Sequence, residues 1–212
     1  MATTLVTLDQ LRAWLARFRD LVTEQRDYLT ELDSAIGDAD HGANMSRGMA
    51  AVLEKMDADP AVAVDALFKG VGMTLVSSVG GASGPLYGTF FLRFGTTAGA
   101  VTELDGEALS AALRAGLGGV LQRGKAEAGD KTMFDALAPA LDALDASLGE
   151  GSDLSTAAAA AFAAAVAGRD ATLDLVARKG RASYLGERSA GHLDPGATST
   201  ALLFQALAES LA

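Results

Sequence analysis

No cysteine occurs in the 212 residues. That excludes a disulfide framework, a thiolate metal site and a cysteine nucleophile. Prolines number four, so little interrupts long helices. β-branched residues are sparse and never form a convincing alternating run, which removes the usual signal for strands. Basic residues are in the minority, 17 against 27 acidic ones, and the formal charge is −10. An acidic chain with two histidines and no basic stripe is a poor partner for nucleic acid. Long hydrophobic runs are missing too. The longest, Ala157 to Ala167, is nearly all alanine and too short to span a bilayer. The first residues lack the basic start and apolar run of a secretory signal. The expectation is a soluble cytoplasmic protein with neither nucleic acid nor membrane as partner.

Half of the residues are apolar, and alanine and leucine dominate, so disorder is excluded and one hydrophobic core is within reach. Helix propensity favours an all-α fold. Thr7 caps a first helix, in which Leu8, Leu11, Leu15, Phe18, Leu21 and Val22 recur at helical spacing. This helix continues towards Leu32 and stops near Gly37. A second runs from about Gly42 to Asp59, and Asp59-Pro60 reads as a cap and first-turn proline opening a third. The third ends at Gly80-Gly81; a fourth spans about Ser83 to Gly95, a fifth Asp105 to Gly124, and a sixth Met133 to Leu148. The seventh runs from Ser152 to about Lys179, and the eighth from an Asp194-Pro195 cap to the C-terminus. No stretch looks like an interdomain linker, so residues 1–212 read as a single domain, an up-down bundle of eight helices.

The loops combine glycine with hydroxyl or charged residues: 36–44 (IGDADHGAN), 77–88 (SSVGGASGPLYG), 123–133 (RGKAEAGDKTM) and 184–199 (YLGERSAGHLDPGATS). Glycine lets a backbone approach a ligand closely, and helix starts point free amides at anions. In an up-down bundle the loops after helices one, three, five and seven share one end. These are those four loops, which predicts one site at one end.

Asp33, Asp38 and Asp40 lie within eight residues. They converge if the first helix ends near Ala35 and Gly37 turns the chain. Three crowded carboxylates repel one another and call for a neutralising group. Oxygen ligands without cysteine suit Mg²⁺ or Ca²⁺, and Mg²⁺ shares its shell with phosphates, as the glycine loops suggest. The plain alternative is a solvated turn with one aspartate capping the next helix. The stretch Asp33 to Asn44 is not an EF-hand, because Ala35 stands where an oxygen ligand is required and Asn44 where a glutamate is. Gly119 to Lys125 nearly spells a P-loop, but Ala126 replaces the hydroxyl and the motif ends a helix. His41 and His192 could carry a phosphoryl group, or simply bond a phosphate or a loop carbonyl. Arg181 and Arg188 flank the last loop, where arginine suits bidentate phosphate binding.

Four segments together resemble the nucleotide-binding L subunit of dihydroxyacetone kinase: Leu32 to Met45, Ser77 to Gly88, Gly129 to Met133, and Gly180 to Arg188 continuing through Gly191 to Gly196. Ala39 departs from the glycine common in that family, which matters only if the residue needs positive φ. The resemblance implies an eight-helix antiparallel barrel with ADP or ATP at one end and Mg²⁺ on Asp33, Asp38 and Asp40. It implies that His41, Gly42, Ala43, Asn44, Ala82, Ser83, Thr132, Met133 and Arg181 line the nucleotide, with Gly124, Asp194, Pro195 and Gly196 beside it. Arg181 becomes the catalytic candidate, clamping the transferring group. The chain has no room for the fused acceptor domain of ATP-dependent relatives, so the phosphotransferase-system-dependent form is implied. There ADP is rephosphorylated in place by a phospho-histidine M subunit, and the phosphoryl group passes to dihydroxyacetone on a partner K subunit. Two other readings stay open: a kinase module for another acceptor such as a fatty acid, and a nucleotide-sensing partner of a transcription regulator.

Overall fold

Leucine and alanine at helical spacing give each helix an apolar stripe, and the stripes close on one another in a ring. The computed structural model describes residues 5–212, so the first four residues of the expected domain lie outside the described ones. Nine α-helices occur among the described residues: α1 (Leu8–Glu24), α2 (Arg26–Ile36), α3 (His41–Ala58), α4 (Val64–Ser78), α5 (Ser83–Ala98), α6 (Gly106–Gly124), α7 (Phe134–Gly149), α8 (Leu154–Ala171) and α9 (Pro195–Leu211). α1 packs on α3, α3 on α4, each later helix on the next, and α9 returns to α1. This is the expected all-α eight-helix barrel. α2 stands outside the ring, against α3, α9 and a 3-10 segment at Arg181–Ser189.

Aromatic side chains fill the barrel. Trp14, Phe68, Phe91 and Phe94 meet at centroid distances from 4.1 Å (Phe68–Phe94) to 6.1 Å (Trp14–Phe91). The one polar atom this cluster buries is satisfied, since Trp14 Nε1 donates to the Leu203 carbonyl at 2.9 Å. Small residues let the walls approach. A Cβ on Gly72 would stand 2.6 Å from the Gly88 carbonyl oxygen, so α4 and α5 cross at a distance only glycine allows. The alanine run of α8 buries Ala157, Ala158, Ala161 and Ala165 against its neighbours α7 and α9.

Four expectations need correction. The first helix is two, parted at Gln25, so that α2 can leave the ring and pack on α9 and the 3-10 segment. Pro60 opens no helix. α4 begins at Val64, whose amide donates to Val101 (2.8 Å) while that of Asp65 donates to Gly99 (3.1 Å); its starting donors are met by a distant loop. The seventh predicted helix stops at Ala171, not Lys179, and a 3-10 turn at Thr172–Asp174 follows. Two short strands, β1 (Leu5–Thr7) and β2 (Glu103–Asp105), pair antiparallel with Val6 opposite Leu104. They seal one end of the barrel with those two buried side chains.

The helix starts differ between the two ends. Thr7, Asp105 and Asp153 cap α1, α6 and α8 with their side chains, Thr7 completing a capping box with Gln10. α3, α5, α7 and α9 start at the opposite end, and there only α9 is capped by the side chain of its own N-cap residue, Asp194.

Candidate functional site

The end where α3, α5, α7 and α9 begin holds a cleft of about 280 Å³. All four glycine loops contribute to its wall, as the loop count predicts. Four helix starts facing one cleft bring partial positive charge to it, and at the start of α5 no side chain competes for the free amides. That arrangement suits a polyanion.

The carboxylates sit on the same wall. Asp33 is the buried member, near the end of α2, and Asp38 and Asp40 follow on the turn made by Gly37. One carboxylate oxygen from each lies within 4.8 Å of the others. Asp33 Oδ2 accepts the amides of Asp40 (2.8 Å) and His41 (3.1 Å), which caps α3 from across the turn. Asp40 itself makes no side-chain cap, so the capping aspartate of the plain alternative is Asp33. Asp33 Oδ1 is left over, and a Cβ on Gly37 would fall 2.1 Å from it. The glycine thus clears space around that oxygen. Oxygens on one Mg²⁺ stand about 3.0–4.2 Å apart, so the set would have to draw in by about half an ångström or more to close around the ion. The donor set fits a hard divalent cation.

Arg181 reaches the cluster from the fourth loop. Its guanidinium pairs with Asp38 Oδ2 at 2.9 Å and stays mostly exposed at the cleft wall. Among the described residues Arg181 forms no ion pair with its neighbour Glu187. Arg188 is exposed and lies away from the cleft.

His41 lies buried at the start of α3. The expected loop carbonyl is not what its ring bonds. Nδ1 meets Ser83 Oγ at 3.0 Å and Nε2 meets Ser199 Oγ at 2.9 Å. Tyr87 extends this chain to Ser199 (2.7 Å) and Thr200 (3.1 Å). Burial pushes the imidazole pKa below its ordinary value, against the pull of Asp33 and Asp40. Burial also pushes the Tyr87 phenol up to about 12. A neutral ring locked between hydroxyls positions Ser83 rather than carrying a phosphoryl group. His192, by contrast, is exposed.

Of the remaining expected residues, Ala82 and Ser83 line the cleft at the start of α5, and Gly124 at the end of α6. Thr132 and Met133 do so before α7, and Asp194, Pro195 and Gly196 at the start of α9. Gly42, Ala43 and Asn44 do not line it. Gly42 is turned to α2, where a Cβ would meet the Arg26 carbonyl at 2.0 Å. Asn44 is buried behind Gly80 and accepts from Arg47 at 2.6 Å. Ala39 has φ of +61°, so the condition attached to its departure from glycine is met. The sequence reading missed Lys131 and the Tyr87–Ser199 pair. The signal for Lys131 was its place in the motif 129–133, beside two residues that were singled out.

Asp194 is buried, and its Oδ2 caps α9 through the Ala197 amide at 2.6 Å. Desolvation pushes its carboxyl up to about 7 despite that bond.

A closed helical barrel whose helix starts and acidic turn converge on one cleft is an architecture suited to a phosphorylated ligand and a divalent cation. The chain belongs to the DAK2 domain family, which matches residues 35–209. It is similar to the ADP-binding subunit DhaL of the PEP-dependent dihydroxyacetone kinase of Escherichia coli (strain K12), 48% identical over 94% of this chain and 95% of that one. The corresponding subunit of the PTS-dependent enzyme of Lactococcus lactis is 44% identical, over 98% of this chain and all of that one (100%). Among solved structures it resembles the dihydroxyacetone kinase of C. freundii in complex with AMP-PNP and Mg²⁺, with a TM-score of 0.70 and 32% identity over 96% of this chain. The chain spans about a third (33%) of that larger protein. Among the described residues, no helix is long and apolar enough to cross a membrane.

Proposed function

We propose that this chain is the ADP-binding subunit of a phosphoenolpyruvate-dependent dihydroxyacetone kinase, acting as a single domain in the cytoplasm. ADP stays bound as a coenzyme, a phospho-histidine M subunit supplies the phosphoryl group, and a K subunit presents dihydroxyacetone to receive it. The observation that carries the reading is the convergence of three carboxylates and four helix starts on one cleft.

Asp33, Asp38 and Asp40 would hold Mg²⁺, which when bound neutralises phosphate charge and aligns the transferring group. The chain's own residues do the rest. Asp33 is fixed by two backbone amides, so one ligand is set before any ion arrives. The amides at the start of α5 meet the diphosphate, and Ser83, held by His41, adds a hydroxyl. Arg181, paired with Asp38, stands ready to shift its guanidinium to the phosphoryl group. No nucleophile or base is needed from this chain, because phosphoryl transfer is served mainly by positioning and charge stabilisation.

The test is reconstitution of the purified chain with its K and phospho-histidine partners. Dihydroxyacetone phosphate should form from phosphoenolpyruvate only when all are present, with ADP needed in no more than stoichiometric amount. Equal rates from free ATP without the phospho-histidine protein would assign the chain to the ATP-dependent type. Absence of transfer in every combination would refute the proposal.

A further inference from the structure

Lys131 is the one lysine whose side chain is fully buried among the described residues, 1% exposed, and it sits in the cleft wall. Its backbone is left-handed, φ +63°. Three non-glycine residues take positive φ among the described ones: Ala39, Lys125 and Lys131, and all three lie in loops of the cleft. A chain with 24 glycines has put lysine where glycine is easiest, so the side chain has a use that outweighs the strain.

That use is visible in its bonds. The ammonium donates to the carbonyls of Thr172 (2.8 Å), Leu175 (3.0 Å) and His192 (2.5 Å), with Leu173 at 3.5 Å. Three N–H groups meet three near carbonyls, which leaves none for a ligand. No carboxylate forms an ion pair with it among the described residues. The carbonyls belong to the end of α8, its 3-10 continuation and the turn before α9. Helix ends expose unpaired carbonyls and negative partial charge, which a cation satisfies. Arg169, in the last turn of α8, is taken by Asp170, so the cation comes from the third loop instead. A further link joins the same two loops, the Arg178 amide donating to the Asp130 carbonyl at 3.1 Å, while the fourth loop is closed on itself by the Asp194 amide donating to Thr172 Oγ1 at 3.0 Å.

We propose that Lys131 is a positioning residue, an internal cation that ties the third cleft loop to the fourth and so fixes the wall formed by Thr132, Met133 and Asp194–Gly196. Arg181, three residues beyond the Arg178 link, is held in reach of Asp38 by the same tie. The inference rests on the reading of the cleft as an ADP site. Burial pulls the lysine pKa below its ordinary value, and Asp194 and Asp174 pull it back.

The experiment compares wild type with Lys131→Met, which keeps the aliphatic stem, at a temperature where circular dichroism finds both fully helical. ADP affinity with Mg²⁺ should fall about tenfold to a hundredfold, as when a residue supporting a ligand site is lost. A purely structural residue would leave affinity unchanged once the protein is folded. Lys131→Ala should regain affinity with propylammonium, which replaces the missing stem and charge, and not with tetramethylammonium, which has no N–H. Amide exchange at Arg178 and Asp194 should quicken in Lys131→Met whether or not ADP is present. Unchanged exchange there, or ADP affinity within about twofold of wild type in the folded Met variant, overturns the proposal. So does failure of both variants to fold with or without propylammonium, which would make Lys131 a folding determinant only. If exchange quickens while wild type itself ignores ADP, the positioning role stands and the ADP reading falls.

Discussion

Replacing Ala39 with glycine should stabilise the protein. Ala39 has φ of +61° on the exposed turn between two of the three clustered aspartates, and its methyl buries nothing. Left-handed backbone costs an L-residue about 1–2 kcal/mol that glycine does not incur. Glycine gives back about 0.4–1 kcal/mol through its freer unfolded chain. The net is a gain of about 0.5–1 kcal/mol, which in a chain of this length raises Tm by roughly 1–4 °C. Urea unfolding of the metal-free protein, with m unchanged, measures it. Ala39→Val sharpens the comparison, because a β-branched residue is still less at ease there and should lower the midpoint. A loss of more than about 0.5 kcal/mol in Ala39→Gly would mean that the turn is not left-handed and the strain argument is wrong.

Asp194 makes stability depend on pH. Its folded pKa of about 7 stands above the ordinary 3.8, so the ionised form destabilises the fold, and stability declines as pH rises from about 4 to 7. At about 1.4 kcal/mol per pH unit the full decline is up to roughly 4 kcal/mol, and Asp194→Asn, which keeps a capping oxygen, should flatten it in denaturation curves taken without ligand. Arg181→Lys should slow single-turnover transfer about a thousandfold while ADP affinity falls far less, since lysine lacks the planar fork; equal small losses in both would make Arg181 a bystander. Thr7→Ala, at the far end of the barrel, should cost about 1 kcal/mol in urea unfolding and leave ADP affinity unchanged; an altered affinity would contradict the separation of the two ends.

The elements that could be read from sequence are those whose determinants are local. Thr7 with Gln10, and Asp194 with Pro195, carry their caps within three residues, and both helices start where the pattern places them. The glycine loops fell at one end because an up-down chain leaves no other choice. What escaped depends on partners far along the chain. The start of α4 is set by carbonyls of Gly99 and Val101, not by Asp59-Pro60. The carbonyls just past the end of α8 are met by Lys131, 41 residues before Thr172. Gly42 and Asn44 share their segment with the acidic triad, yet helical rotation turns them to α2 and Gly80 instead of the cleft. The Tyr87–Ser199 bond, across 112 residues, has no local trace at all.

The central claim is that the cleft holds ADP through a cation on the acidic triad. Calorimetric titration of the purified, ligand-stripped chain with ADP, in Mg²⁺ and then in EDTA, tests it most directly when repeated with Asp40→Ala. Saturable binding that requires Mg²⁺ and disappears in the folded Asp40→Ala variant is the predicted result. ADP binding that is indifferent to EDTA, or equally tight in Asp40→Ala, would contradict it.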